Sequence, residues 1–339
     1  MEKIAIVVKN YDVGRPSGVI SLSEIWRKKL LQKGIEVRVF FSRGDSFEGG
    51  EKFSLFGFFD LVSALRTFKP DATILISSAS SGFLIHLWWF YKLSIWRKKT
   101  VYYQATNTGA CGVLAGKIIG YFLSGYLRVA VASYDQKDIS QRFLDEVEVV
   151  LPGSESLGEN ATTDKKWDVV FLGHTSLSKG VDKILEMASR RPQYKFLVIA
   201  GKSRSKVDKG VHTLLAENTL HNLTFIGEKI TVNDYLPKCK ILILPYRSGE
   251  FVLGVAQSLI EAASLGIPCI ATSNSAVTSF IEDGVNGYYA TNIDDFLFNA
   301  DELLSSDKKL QGVGCEARKT FLNKFTDDIS INALLRVCR

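Results

Sequence analysis

Short apolar runs alternate with longer stretches in which apolar and polar positions recur at helical spacing, and this alternation runs along the chain of 339 residues. In the first half the runs are Ile4–Val8, Val37–Phe41, Ala72–Ile76, Thr100–Tyr103 and Val129–Ala132. In the second they are Val169–Leu172, Phe196–Ala200, Leu223–Ile226, Ile241–Leu244 and Cys269–Ala271. Strands apolar on both faces, separated by helices, predict parallel sheets covered on both sides. Ten such runs in two sets predict two doubly wound α/β units. The break falls at Leu151-Pro-Gly153, before the polar run 154–166. The expected domains are therefore 1–152 and 153–312, followed by a helical stretch from 313 to the end. Ligands of such sheets bind outside the carboxyl ends of the strands, which for two facing units places the site in the cleft between them.

Two apolar stretches need a separate reading. Gly82–Trp96 is rich in aromatics and runs into Arg97-Lys98-Lys99. It is too short to span a bilayer. A core helix with a solvated basic end is the simpler reading, and an interface patch on an anionic membrane is the other. Ala110–Leu127 carries Lys117 and several glycines and reads as a buried helix.

Composition narrows the class. Hydrophobic residues are 46% and charged residues 23%, as expected of a soluble globular protein. The start Met-Glu-Lys-Ile-Ala-Ile-Val-Val reads as a first strand without a charged leader, so a cytoplasmic protein is expected. Five cysteines, odd in number and without metal spacing, suit free thiols. Asn160-Ala-Thr162 and Asn222-Leu-Thr224 match the glycosylation pattern and read as coincidence. The net charge of +6 lies in residues 1–150, which hold 20 basic and 14 acidic residues. Nucleic acid is demoted because no binding motif accompanies that charge, leaving an anionic membrane or a phosphorylated acceptor. There is no Gly-x-Gly-x-x-Gly after the first strand and no Walker loop, and the four histidines lack ligand spacing.

The richest segment is Phe251–Thr272, which sets Glu261 among Leu259, Ile260, Ala262 and Ala263 at the head of a small apolar helix. A lone acid in such company is costly unless something polar meets it. Upstream, Val169-Val-Phe-Leu-Gly-His-Thr-Ser-Leu-Ser-Lys-Gly180 reads as strand, glycine turn and a lysine entering a helix. Downstream, Phe280-Ile-Glu-Asp-Gly-Val-Asn-Gly-Tyr288 is a glycine-rich return. This series resembles the donor-nucleotide domain of glycosyltransferase family 4, enzymes of the GT-B fold. The N-terminal half has the family's layout as well, with Ser17-Gly18 in its opening glycine loop.

The resemblance implies roles for individual residues. Lys179, with His174 where the family has arginine, would neutralise the leaving diphosphate. Glu261 matches the second acid of the Glu–seven residues–Glu motif and would hold the ribose. The first acid of that motif falls on Leu253. Glu250, three residues earlier, either fills that role or is a solvated loop acid. Gln104 stands where a histidine is common near the transferred sugar, Ser275-Ala276 where a Gly-Gly pair is common, and Ser279 where a glutamate is. Gly18, Gly173 and Gly254 would line the donor with His174, Lys179 and Glu261. Together these imply a retaining, metal-independent hexosyltransferase acting on a nucleoside-diphosphate sugar, which serves as co-substrate with no cofactor. The implied acceptor is a lipid-linked or anionic glycan of a surface polysaccharide such as lipopolysaccharide O-antigen, reached through peripheral contact with the cytoplasmic face of the inner membrane. A degenerate scaffold or a nucleotide-sugar epimerase on the same fold are the rival expectations.

Overall fold

The structure is a computed structural model that describes all residues apart from 12–17, 45–46, 54–57, 78–99, 107–127, 142–146, 159–163, 202–205, 228–231, 250–251 and 275. The stretches Gly82–Trp96 and Ala110–Leu127, and also Ser17, Cys111, Asn160, Glu250 and Ser275, lie outside the described residues. The chain divides into two compact units. One comprises Met1–Ser154, Glu250–Val255 and Phe325–Arg339, and the other Glu155–Gly249 and Ala256–Lys324.

The first unit is built on a seven-stranded parallel sheet of order β3-β2-β1-β4-β5-β6-β7. Its strands are β1 (Lys3–Tyr11), β2 (Glu36–Gly44), β3 (Gly50–Lys52), β4 (Ala72–Ser77), β5 (Thr100–Gln104), β6 (Arg128–Val131) and β7 (Val147–Val149). Its described helices are α1 (Gly18–Gln32), α2 (Phe58–Phe68), α3 (Tyr134–Ser140) and the last helix of the chain, Asp327–Cys338. Alternate residues of β1 feed two cores. Ile4, Ile6 and Val8 join Trp26 and Leu30 of α1 and Ile331 and Leu334 of the last helix. Ala5 and Val7 join Leu61, Leu65 and Phe68 of α2. Burial on both faces is why the strand shows no polar alternation. Trp26 is fully buried and donates its indole N–H to Ser330 Oγ at 3.0 Å, tying α1 to the last helix.

The second unit carries a six-stranded parallel sheet, β10-β9-β8-β11-β12-β13. These are β8 (Trp167–His174), β9 (Phe196–Gly201), β10 (Leu223–Ile226), β11 (Cys239–Leu244), β12 (Cys269–Ala271) and β13 (Gly287–Tyr289). Helices α4 (Val181–Arg190), α5 (Lys206–Ala216), α6 (Gln257–Ser264), α7 (Ile293–Leu304) and α8 (Asp307–Lys324) connect and flank them. The strand order reverses between β8 and β11, which is the switch point where ligands of doubly wound sheets bind.

All ten expected strands are present, most longer by a residue or more at their ends. Three strands had no expectation, among them the three-residue edge strand Val147–Val149. Gly50–Lys52 carries no apolar run, and Gly287–Tyr289 is a short edge strand inside the glycine-rich return. The helical stretch from 313 onward is two helices, because α8 ends at Lys324 and Thr326 starts the last helix, α9 (Asp327–Cys338), by accepting the Ile329 N–H at 3.3 Å. Asn222 is buried, and its amide donates to the carbonyls of Ala188, Arg191 and Tyr194 at 3.0, 3.1 and 3.0 Å. It serves as a packing tie between α4 and β9. Cys239, Cys269, Cys315 and Cys338 are free thiols. Among the described residues no helix is long and apolar enough to cross a membrane.

Candidate active site

Chemistry in the second unit gathers where β8 and β11 end. β8 finishes on Gly173 and His174, paired with Ala200 and Gly201 of β9. The chain then makes one tight turn, Leu177–Lys179, and enters α4 through Gly180. Gly180 has φ of 66°, and a Cβ there would sit 1.9 Å from the Pro245 carbonyl oxygen. No other residue fits, since both the backbone angle and the space forbid a side chain. The Lys179-Gly180 spacing read from the sequence is thus a packing requirement of the β8–β11 junction.

That turn is held from β11. The Arg247 guanidinium makes a paired contact with the Asp182 carboxylate at 2.6 and 2.7 Å and also donates to the Leu177 carbonyl at 2.6 Å. The Arg247 N–H donates to the Ser178 carbonyl at 2.8 Å. The fork geometry suits a planar guanidinium, and the partner holds the Asp182 carboxyl below its ordinary range. Neither Arg247 nor Asp182 was singled out by sequence. Their only signal was position, at the end of a strand and the start of a helix.

Lys179 lies in this turn, one residue ahead of the Gly180 helix cap, at the entry to α4. Its ammonium rests over the Tyr246 ring, 4.0 Å from the centroid. Among the described residues no carboxylate pairs with it. Burial brings its pKa from 10.5 down to about 7. His174 is half-buried nearby, its pKa lowered by burial and then by the charge of Lys179. Tyr246 is buried, and its hydroxyl bonds Ser258 on α6, so the ring that carries Lys179 is fixed to the helix that carries Glu261.

Glu261 sits in the second turn of α6, not at the helix head that the sequence suggested. Burial pushes its carboxyl up to about 7, and contact with Gln257, one turn earlier on the same face, draws it partly back. Both polar atoms of the Gln257 side chain and Oγ1 of Thr272, just past β12, are shut off from solvent without a normal hydrogen bond. The carboxyl edge around α6 and β12 therefore holds polar groups the fold itself leaves unsatisfied.

The other candidates belong to the first unit. A Cβ on Gly18, the first residue of α1, would lie 3.3 Å from Leu253 Cβ. Leu253 is 4% exposed and packs in the core with Tyr103, Ala105 and Ala132. The position where the resemblance calls for an acid is thus an apolar anchor. Gly254 donates its N–H to the Ala105 carbonyl at 2.9 Å, and a Cβ there would meet Ala132 at 2.5 Å. Gly254 accordingly serves backbone packing on the ends of β5 and β6. Gln104 closes β5 with a half-buried side chain, and its carbonyl accepts the Ala132 N–H at 3.2 Å.

Residues 154–320 match the family described as "Glycosyl transferases group 1". The chain is 26% identical over 167 residues to 2-deoxystreptamine N-acetyl-D-glucosaminyltransferase of Niallia circulans, a match spanning 47% of this chain and 42% of that relative. Its fold is similar to that of Anabaena HepE, solved with UDP and glucose, at TM-score 0.75 and 14% identity over 99% of both chains. It is similar also to a glycosyltransferase of Rickettsia africae, at TM-score 0.76 and 15% identity over 99% of this chain and 97% of that one. WaaG, a glycosyltransferase involved in lipopolysaccharide biosynthesis, matches at TM-score 0.67 and 14% identity over 98% of both. The match to the glycosyl transferases group 1 family thus covers just under half of the chain, the second doubly wound unit, and the two doubly wound units together have the GT-B fold.

Proposed function

We propose that this chain is a glycosyltransferase of the family 4 type, moving a sugar from a nucleoside-diphosphate donor to a hydroxyl of an acceptor. The observation that carries the reading is Lys179, a half-buried lysine whose ammonium lies on the Tyr246 ring, at the switch point of the second sheet, with no described carboxylate to neutralise it. A cation held in that way is prepared for a diphosphate, whose charge grows as the glycosidic bond breaks. His174 supplies a second, weaker contact that is neutral near pH 7. Glu261, on the helix tied to Tyr246, takes the ribose hydroxyls as acceptor or donor according to its own protonation.

HepE was solved with UDP and UDP-glucose, and the Niallia circulans relative is named for N-acetylglucosamine transfer, which together favour a UDP-sugar donor. Transfer with retention, without a metal and with the departing phosphate as base, is the finer part of the proposal. A lipid-linked or anionic glycan acceptor in surface polysaccharide synthesis is its outermost part, supported by WaaG as a structural relative. The second reading, a scaffold without turnover, is favoured by one observation, the apolar anchoring of Leu253.

Calorimetric titration with UDP, GDP, CDP and ADP tests the proposal. One nucleotide should bind tightly, and Lys179→Ala should lose it by about a hundredfold, the worth of a buried charged contact. No binding by the wild type, or unchanged binding by Lys179→Ala, sinks the reading. Binding without donor hydrolysis or transfer to any acceptor leaves the scaffold.

A further inference from the structure

Three consecutive residues beyond β11 meet the turn between β8 and α4 in reverse order. The Pro245 carbonyl packs on Gly180 so closely that a Cβ there would sit 1.9 Å from its oxygen. The Tyr246 ring carries the Lys179 ammonium, 4.0 Å from its centroid. The Arg247 backbone N–H donates to the Ser178 carbonyl at 2.8 Å. Its guanidinium then reaches past the turn, to the Leu177 carbonyl at 2.6 Å and to both oxygens of Asp182 at 2.6 and 2.7 Å. Lys179 is therefore bracketed, because the residues on either side of it are fastened to the residues on either side of its ring. The turn also closes on itself, Lys179 N–H to the Ser176 carbonyl and Gly180 N–H to the Leu177 carbonyl, both at 3.0 Å. Those bonds shape the turn but leave its attitude toward β11 unset.

Each part of this arrangement has a physical reason. A guanidinium bonds a carboxylate through two nitrogens and still donates to a carbonyl, a planar fork that an ammonium lacks. Asp182 stands in the first turn of α4, where an acid is favoured, and cancels a cation that the helix N-terminus would otherwise repel. Contact with Arg247 holds the Asp182 carboxyl below its ordinary range, so the pair stays charged wherever Lys179 titrates. The side chains of Arg247 and Asp182 are 42% and 26% exposed. So open a pair adds little to global stability, and its effect is to fix local geometry. We propose that Arg247, locked by Asp182, is a positioning residue for Lys179: it fastens the turn to the end of β11 and so keeps the ammonium on the Tyr246 ring. That role follows from the contacts; its consequence for donor binding rests on the glycosyltransferase reading.

The test reads Lys179 directly, by NMR of the full-length protein carrying lysine isotope-labelled at Cε. The Lys179 resonance is identified by its loss in Lys179→Ala, and its titration midpoint should lie near 7 in the wild type. Arg247→Met and Asp182→Asn should each move that midpoint toward 10.5, while Tm falls by only a few degrees. A midpoint already near 10.5 in the wild type, or one unmoved in both variants, overturns the proposal; a role in stability alone would not move it. UDP, titrated calorimetrically, is the second probe. Arg247→Met should weaken it about tenfold in the wild-type background and not at all in Lys179→Ala, because the effect passes through the lysine. An equal loss in both backgrounds also overturns the proposal, since Arg247 would then touch the nucleotide itself or act on the whole fold. If Arg247→Met melts far below the wild type, Asp182→Asn decides through the same two readings. A wild type that binds no UDP removes the glycosyltransferase reading, and the midpoint still decides the role of Arg247. An unmoved midpoint beside UDP binding that depends on Lys179 does the reverse.

Discussion

Replacing Lys179 by methionine should stabilise the ligand-free protein and abolish its response to nucleotide, and the two effects have one cause. Burial brings the ammonium from a pKa of 10.5 down to about 7. Between those values the unfolded chain holds a proton that the folded chain lacks, so stability rises with pH across that window. Below pH 7 both states are charged and the full desolvation cost is present, at most about 5 kcal/mol and nearer 3 once partial access of water to the side chain is counted. Lys179→Met should therefore raise stability in urea by several kcal/mol at pH 6.5 and by little above pH 10. A bound diphosphate returns the lysine toward its ordinary pKa, so nucleotide binding above pH 7 must take up a proton. At pH 8.5 roughly 3% of the free protein carries the charge, so binding should take up close to one proton and UDP affinity should fall about tenfold per pH unit. Glu261, with its pKa of about 7, is already ionised there and adds nothing. The assay is calorimetry at pH 8.5 in buffers of different ionisation enthalpy. An enthalpy independent of buffer in the wild type, or the same uptake in Lys179→Met, would refute the reasoning.

Three further outcomes follow from the packing. Glu261 keeps its proton to about pH 7 when folded and to about 4.5 when unfolded, so its contribution is intact below 4.5 and lost as pH rises through 7. Glu261→Gln should gain up to about 3 kcal/mol at pH 8 and nothing at pH 4, measured by urea melts at both. Gly180→Ala must move the turn off the Pro245 carbonyl at a positive φ and should cost more than about 2 kcal/mol, lowering Tm by several degrees. A Tm equal to that of wild type would show that the turn is not clamped. Leu253→Glu restores the acid that the resemblance calls for, yet it places a carboxylate in an apolar core. It should destabilise by about 3 kcal/mol or more and yield no gain in donor turnover. A stable, more active variant would mean that the position is not an anchor.

Local pattern was enough for much of the architecture. Strands covered on both faces must be apolar throughout, so β1, β4, β8, β9 and β11 were legible from composition alone, and the helices between them required parallel pairing. The Lys179-Gly180 and Glu261 positions were legible too, since a glycine at a fixed offset and an acid in an apolar helix each break a local rule. What the sequence could not supply was anything depending on partners distant along the chain. Arg247 holds Leu177 and Asp182 across some 65 to 70 residues, and nothing near it in sequence announces that. The Glu250–Val255 segment groups with the first unit although it is embedded in the sequence of the second. The shifts of Lys179 and Glu261 to about 7 likewise arise from burial, which is a property of the packed whole. Periodicity records which face of an element is covered; only tertiary contact decides what covers it and which charges it leaves without a counter-charge.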